Sequence, residues 1–170
     1  MPALVWSVHR TLFGILILCT IAHVPQLTAQ TVETIDKQKL RTLITERNNR
    51  PLLLNIWATW CTPCVEEFPD IIRVYREHSD VDVVAISADY PDEIEEKIQP
   101  FLRTMNVPFS VYVADFADQD EFFSMFDSRW GGEIPATFIY DHNGNQTHFL
   151  KGKQTFADFK KAVEEETKKR

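Results

Sequence analysis

The segment Cys61-Thr62-Pro63-Cys64 holds two cysteines whose spacing can support redox chemistry. Two thiols three residues apart can form an internal disulfide, and the thiolate of one can attack a disulfide of another protein. An apolar run, Leu52–Trp57, precedes the pair and predicts a buried strand, and a segment with helical periodicity follows it. Because a helix N-terminus stabilises a thiolate, we expect Cys61 to be the nucleophile. Cys64 is expected to be more shielded and to resolve the mixed disulfide.

A pair of cysteines at this spacing is also half of a zinc site, which would need two further ligands. No other cysteine follows residue 30, and His78, His142 and His148 do not have metal-ligand spacing. A structural metal is therefore the weaker alternative, and we predict none. An inert disulfide is equally weak, because the loop that the pair closes is too short to add much stability.

The N-terminus has the pattern of an export signal. Arg10 precedes an apolar run over residues 12–22, and small or polar residues follow as far as Ala29, the expected last residue before a cut. We therefore divide the chain into a signal peptide or membrane anchor at 1–29 and a folded domain at 30–170. Cleavage and anchoring both remain open, and lipid attachment at Cys19 is a weaker alternative. All three place the domain outside the cytosol, in the periplasm or on the outer face of the membrane.

The composition is that of a globular protein that has one core. Apolar residues make up 44% of the chain and charged residues 25%, and the net charge of −7 comes from interspersed signs. The absence of a basic stripe in the sequence argues against nucleic acid as a partner. No dinucleotide fingerprint occurs, so no cofactor is expected beyond a redox-active disulfide. We expect a monomer.

Apolar patterns along the chain alternate between strand and helix. Helices are predicted at 36–47, after the cysteines, and at 92–105, 118–126 and 156–168. Strands are predicted at 52–57, 81–88, 109–113, 136–140 and 146–150, the last two joined by an Asn143-Gly144 turn. Pro69 and Pro100 are expected to distort the helices that contain them. The alternation followed by a hairpin predicts an α/β fold with a mixed sheet.

Two segments resemble a known family. The stretch Trp-Ala-Thr-Trp-Cys-Thr-Pro-Cys at 57–64, followed by Glu-Glu-Phe-Pro at 66–69, resembles the active-site segment of the TlpA/ResA-like thioredoxins of bacterial envelopes. The segment 133–141, with Ile134-Pro135, also resembles this family. The resemblance covers about residues 36–168. It implies a thioredoxin-like α/β fold, in which helices flank a mixed central sheet, with an extra helix and strand inserted between residues 88 and 115.

The resemblance also implies how a partner protein would bind. In this family a cis-proline, here Pro135, faces the cysteines, and its loop with Ile134 binds the partner's extended backbone. The residues alone favour an ordinary trans peptide. Trp60, Thr62 and Pro63 surround the nucleophile in sequence, and we expect them at the rim where the partner binds.

Two polar positions near the cysteines have no certain role from sequence. Glu67 matches a glutamate that ResA-like relatives use in proton transfer, whereas its residue type alone equally allows a solvated helix carboxylate. Asn55 stands where thioredoxin has a buried aspartate, and it cannot titrate. Trp57 is expected in the core. Trp130 is expected either to join the active face or to pack.

The leading functional hypothesis is a thiol–disulfide oxidoreductase that reduces envelope proteins and is recycled by a membrane electron donor. The resemblance adds cytochrome c assembly as one possible purpose. An oxidase or isomerase would use the same chemistry in the other direction. A copper-delivery module is a further alternative, although the sequence has no Met-rich or His-rich tract. A peroxidase is excluded, because the lone peroxidatic cysteine in its Pro- and Thr-bearing loop is missing.

Overall fold

Six strands form one mixed sheet within residues 31–168, the part of the chain that the computed structural model describes. They are β1 (Glu33–Ile35), β2 (Leu52–Trp57), β3 (Asp82–Ser87), β4 (Ser110–Ala114), β5 (Ala136–Tyr140) and β6 (Gln146–Lys151). Their order across the sheet is β1-β4-β3-β2-β5-β6. The first four in this order are parallel, and β5 and β6 are each antiparallel to the preceding neighbour. The C-terminal end of β2 and the N-terminal end of β5 therefore share one edge.

Helices cover both faces of the sheet. They are α1 (Lys37–Thr45), α2 (Thr62–Glu77), α3 (Gln99–Met105), α4 (Gln119–Ser124) and α5 (Phe156–Thr167). Buried side chains of α2, α3 and α5 form one core layer with the sheet, and those of α1 and α4 form the other. β2 is buried along its whole length and supplies alternate side chains to both layers. The predicted α/β fold is confirmed.

The N-terminal predictions lie outside the described residues. This holds for the signal peptide or anchor at 1–29 and for Cys19. Within residues 31–168, no helix combines the length and the apolar character that crossing a bilayer requires.

The first strand is not among those predicted from the sequence, of which the earliest is at 52–57. β1 runs parallel to β4, with Glu33 opposite Tyr112 and Ile35 opposite Ala114. Ile35 is fully buried, and the other two residues of the strand are exposed. One inward side chain in three residues leaves no periodic signal, so the strand depends on its distant partner.

The helix predicted at 92–105 is present in three parts. A 3₁₀ turn at Pro91–Glu93 leads into a π-helical segment at Ile94–Ile98, and α3 follows. Pro100, near the start of α3, has no N–H to donate to the turn before it, which accounts for the wider turn there. The predicted distortion is confirmed. By contrast, α2 continues through Pro69 without interruption.

The C-terminal half matches the prediction closely. β5 and β6 form the expected hairpin, and Thr155 with Asp158 forms a capping box at the start of α5. Gly144 in the hairpin turn has φ +81°, and a Cβ there would lie 2.6 Å from the carbonyl oxygen of Ile44. Glycine is therefore required at this turn both by conformation and by space.

Two tryptophans lie in the core and not at the surface. Trp57 is fully buried, and its ring centroid lies 4.5 Å from that of Phe68 and 4.8 Å from that of Phe101. Trp130 is buried against Phe126 and Phe138, and its indole Nε1–H donates to the carbonyl oxygen of Glu133 at 2.8 Å. Of the two roles open for Trp130, the structure supports packing.

Candidate active site

The two cysteines lie where β2 ends and α2 begins. Cys61 is the N-cap residue of α2, and its Sγ accepts a hydrogen bond from the backbone N–H of Cys64 at 3.3 Å. The cysteines form a disulfide, and their Cα atoms are 5.3 Å apart. Pro63 fits the first helical turn because its missing N–H would have had no helical partner. The local sequence thus ends a strand, caps a helix and places both sulfurs at the helix N-terminus.

The two sulfurs differ in access. Cys61 is 6% exposed and Cys64 is fully buried. The side chains next to Cys61 are open to solvent, with Trp60 66% exposed and Thr62 and Pro63 also exposed. A partner protein can therefore approach Cys61 across this rim, whereas Cys64 can be reached only from within the protein.

The loop before β5 lies at the same edge of the sheet. The peptide bond between Ile134 and Pro135 is cis, as the resemblance implied. β5 pairs with β2 so that Ala136 is opposite Ile56, which puts Pro135 next to the C-terminal end of β2. Ile134 packs against the core layer that contains both cysteines. The structure thus brings the predicted partner-binding residues together from distant parts of the chain.

Glu67 lies one helical turn beyond Cys64 and is 1% exposed. Its Oε1 accepts a hydrogen bond from Nδ2 of Asn55 at 2.9 Å, and its Oε2 accepts one from the backbone N–H of Gln154 at 2.9 Å. Burial raises the pKa of Glu67 from 4.5 to about 7, although these hydrogen bonds and the charge of Lys153 oppose the rise. The alternative of a solvated helix carboxylate is wrong. A carboxyl of this pKa can exchange a proton near neutral pH.

The active-site loop is held by a buried carboxylate that the sequence analysis did not single out. Asp89, 2% exposed, accepts hydrogen bonds from the backbone N–H of Thr59 at 2.9 Å and from its hydroxyl at 2.7 Å. The hydroxyl of Ser87 also donates to Asp89. Thr59 is two residues from Cys61, so Asp89 fixes the backbone that leads to the nucleophile. Its position just after a predicted strand was the available signal, because parallel strands end at the same edge.

The described residues provide no second set of metal ligands near the cysteines. Within residues 31–168, no three side chains of His, Cys, Asp or Glu are grouped so that they could hold a metal ion. His148, one of the histidines considered from sequence, contacts Glu165 on α5 instead. The half-zinc alternative gains no support from this geometry.

Comparisons with known proteins agree with this site. The model of the AhpC/TSA family matches residues 22–148. The thiol-disulfide oxidoreductase ResA of Geobacillus thermodenitrificans is 27% identical over 124 residues, which is 71% of this chain and 66% of that protein. The thioredoxin-like protein YneN of Bacillus subtilis is 28% identical over 112 residues, which is 62% of each chain. The chain thus spans slightly less than two thirds of the length of these curated relatives.

A solved structure shares the fold. The thiol:disulfide interchange protein of Chlorobium tepidum, a thioredoxin family protein, superposes with a TM-score of 0.59 at 24% sequence identity. The superposition covers 71% of this chain and 82% of that one. The expected thioredoxin-like fold, with a helix and strand inserted between β3 and α4, is confirmed, as is the resemblance to ResA. The chain belongs to the AhpC/TSA family.

Proposed function

We propose that the protein is a thiol–disulfide oxidoreductase that reduces disulfides of cell-envelope proteins through Cys61 and Cys64. The observation that carries the proposal is the disulfide at the N-terminus of α2, with one sulfur near the surface and the other buried beneath it. An attacking thiol must be reachable, and a resolving thiol must be shielded from the partner. Cys61 meets the first requirement and Cys64 meets the second.

The reaction starts from the dithiol form. The Cys61 thiolate attacks one sulfur of the partner's disulfide, the partner's S–S bond breaks, and the released partner thiolate takes up a proton. Cys64 then gives its proton to Glu67 and attacks the Cys61 sulfur, which releases the second partner thiolate. Two electrons pass to the partner, which gains two thiols, and the Cys61–Cys64 disulfide remains.

Partner binding would use the exposed rim and the cis-proline loop. Trp60, Thr62 and Pro63 offer contact surface on one side of Cys61, and Ile134 and Pro135 lie at the same sheet edge. An extended segment of the partner, placed along this edge, would bring its disulfide to Cys61.

The direction of electron flow is supported by the surroundings of the sulfurs. A strong oxidant such as DsbA owes its potential to a stabilised reduced form. Here the residues between the cysteines, Thr62 and Pro63, are uncharged. Glu67, when ionised, disfavours a second negative charge on Cys64 close by. An ionised carboxylate on the turn after Cys64, with no cationic residue between the cysteines, supports the proposal that the reduced protein donates electrons.

The proposed cellular location and partners are based on the sequence pattern at the N-terminus and on similar proteins. An export signal or anchor at 1–29 would put the domain in the periplasm or on the outer face of the membrane. The exposed lipoprotein thioredoxin Etrx1 of Streptococcus pneumoniae has a similar fold at 16% sequence identity. We propose that a membrane electron donor regenerates the dithiol of a monomeric protein, without a bound cofactor, and that cytochrome c assembly is one process it serves.

The test is the reduction potential of the Cys61–Cys64 pair, measured by equilibration with glutathione or dithiothreitol buffers. A value near that of thioredoxin, about −270 mV, or below it supports the reductant. A value near that of DsbA, about −120 mV, would overturn it in favour of an oxidase or isomerase. If the pair does not change between the dithiol and the disulfide but binds copper, copper delivery becomes the favoured function.

A further inference from the structure

The buried amide of Asn55 connects two parts of the site. Asn55 is fully buried in β2, and its Nδ2 donates hydrogen bonds to Glu67 Oε1 and to Thr137 Oγ1, each at 2.9 Å. Thr137 is the register partner of Asn55 on β5 and follows Pro135 by two residues. One amide group thus contacts both the carboxyl of Glu67 on α2 and the strand that follows the cis-proline.

The buried amide of Asn55 has one polar atom without a hydrogen-bond partner in the described part of the chain. Both N–H groups of Asn55 are used, whereas its buried Oδ1 has no hydrogen-bond partner in the described part of the chain. A buried acceptor without a partner is unfavourable. Stability alone therefore does not account for an asparagine in the middle of a buried strand.

We propose that Asn55, held by Thr137, is a positioning residue that keeps Glu67 able to accept the proton of Cys64. The inference rests on the proposed function and names two residues that act through Glu67. With its N–H groups toward Glu67, the amide stabilises the carboxylate. Turned by half a rotation, it would present Oδ1 and stabilise the protonated acid instead. Thr137 Oγ1 accepts the second N–H and so anchors the amide group beside Glu67.

The other groups near Glu67 do not replace this contact. Asp70 on α2 raises its pKa, and Lys153 in the segment between β6 and α5 lowers it. Cys64 on α2 is the thiol whose proton is transferred. The backbone N–H of Gln154 holds Oε2 and is unaffected by side-chain changes. Asn55 is thus the side chain that bonds Glu67 directly.

The first measurement is the titration of the Glu67 carboxyl in the oxidised protein. The carboxyl carbon is followed by NMR in protein with labelled glutamate, and its signal is assigned by its loss in Glu67→Gln. We expect Asn55→Leu to move the midpoint upward by about one pH unit, since it removes a hydrogen bond to the charged form. Thr137→Val should move it in the same direction, and Thr137→Ser, which keeps the hydroxyl, should not.

The two variants of Thr137 keep the proposal testable if Asn55→Leu does not fold. Within the described part of the chain, Thr137 makes no direct hydrogen bond to Glu67, so a shift in Thr137→Val and its absence in Thr137→Ser must come through the amide. A midpoint that stays at the wild-type value in Thr137→Val, and in Asn55→Leu where it folds, overturns the proposal.

The second measurement is the rate at which the reduced protein resolves its mixed disulfide with glutathione, after mixing with oxidised glutathione at a series of pH values. We expect the midpoint of this profile to move with that of the carboxyl. If the titration midpoint of the Glu67 carboxyl moves and the midpoint of the pH–rate profile does not, the role of Glu67 in accepting the proton is overturned. A wild-type protein that does not exchange at all counts against the proposed function, and the titration still decides whether Asn55 sets the state of Glu67.

Discussion

Replacing Glu67 with Gln should remove most of the dependence of folding stability on pH between about pH 5 and pH 8. Burial raises the pKa of Glu67 from 4.5 in the unfolded chain to about 7 in the folded protein. The folded state therefore holds this proton more tightly than the unfolded state does. Its contribution to stability is complete below the unfolded pKa and is lost as the pH rises through 7. Each pKa unit corresponds to about 1.4 kcal/mol, so the loss totals about 3 kcal/mol.

The change in slope, rather than the absolute stability, tests this reasoning. The carboxylate accepts one hydrogen bond on each oxygen, from Asn55 and from the backbone of Gln154. Gln offers a single acceptor oxygen, so one donor loses its partner at every pH. This costs about 1–3 kcal/mol and displaces the whole curve without changing its shape.

The assay is urea unfolding of the oxidised protein at several pH values and constant ionic strength. Glu77→Gln is the matched control, because Glu77 lies on the same helix but is exposed and paired with Arg73. The control should keep the wild-type slope, and Glu67→Gln should be nearly flat. Parallel curves for Glu67→Gln and the wild type would refute the raised pKa.

Three further predictions concern the cysteines, the loop and the hairpin. Cys64→Ser should trap a covalent adduct with a disulfide-bearing partner, seen by mass spectrometry and released by dithiothreitol; an adduct that never accumulates would contradict its role as the resolving thiol. Asp89→Asn should lower stability in urea by about 2 kcal/mol and speed hydrogen exchange at the Thr59 amide, since two hydrogen bonds to a charged acceptor weaken; unchanged exchange would show that the loop is held by other contacts. Gly144→Ala should cost about 2 kcal/mol in urea unfolding, more than Gly152→Ala, which shares a positive φ but has open space for a Cβ; equal losses would rule out the steric part of the argument.

Local patterns predicted most of the fold. The bounds of β2 and β5 match the predicted strands, since both are short apolar runs between breakers. The cap of α5 at Thr155 was also readable, because a capping box lies within four residues. β1 could not be predicted this way. Its partner, β4, begins 77 residues after β1 does, and one buried side chain gives no pattern.

The residues of the active site also fall into two groups, those found from local motifs and those defined by contacts between distant segments. The cysteines, and Pro135 through the resemblance, could be located from motifs. Burial decided between the two roles of Glu67, and one of the contacts to its carboxylate comes from Gln154, which lies 87 residues later in the chain. The position of Asp89 just after a predicted strand was its one signal in the sequence, whereas its role comes from its hydrogen bonds to Thr59. Properties that come from contacts between distant segments were not accessible from spacing.

The sulfur at the N-cap of α2 makes redox state and folding parts of one thermodynamic cycle. Cys61 Sγ accepts the N–H of Cys64 in the folded protein, and an unfolded chain has no such cap. The free energies of unfolding of the oxidised and reduced forms must then differ by the gap between the potentials of the folded and unfolded pairs. For two electrons, about 30 mV of that gap equals about 1.4 kcal/mol. Denaturation curves of the oxidised and the reduced protein would therefore measure how far folding shifts the reduction potential of the cysteine pair.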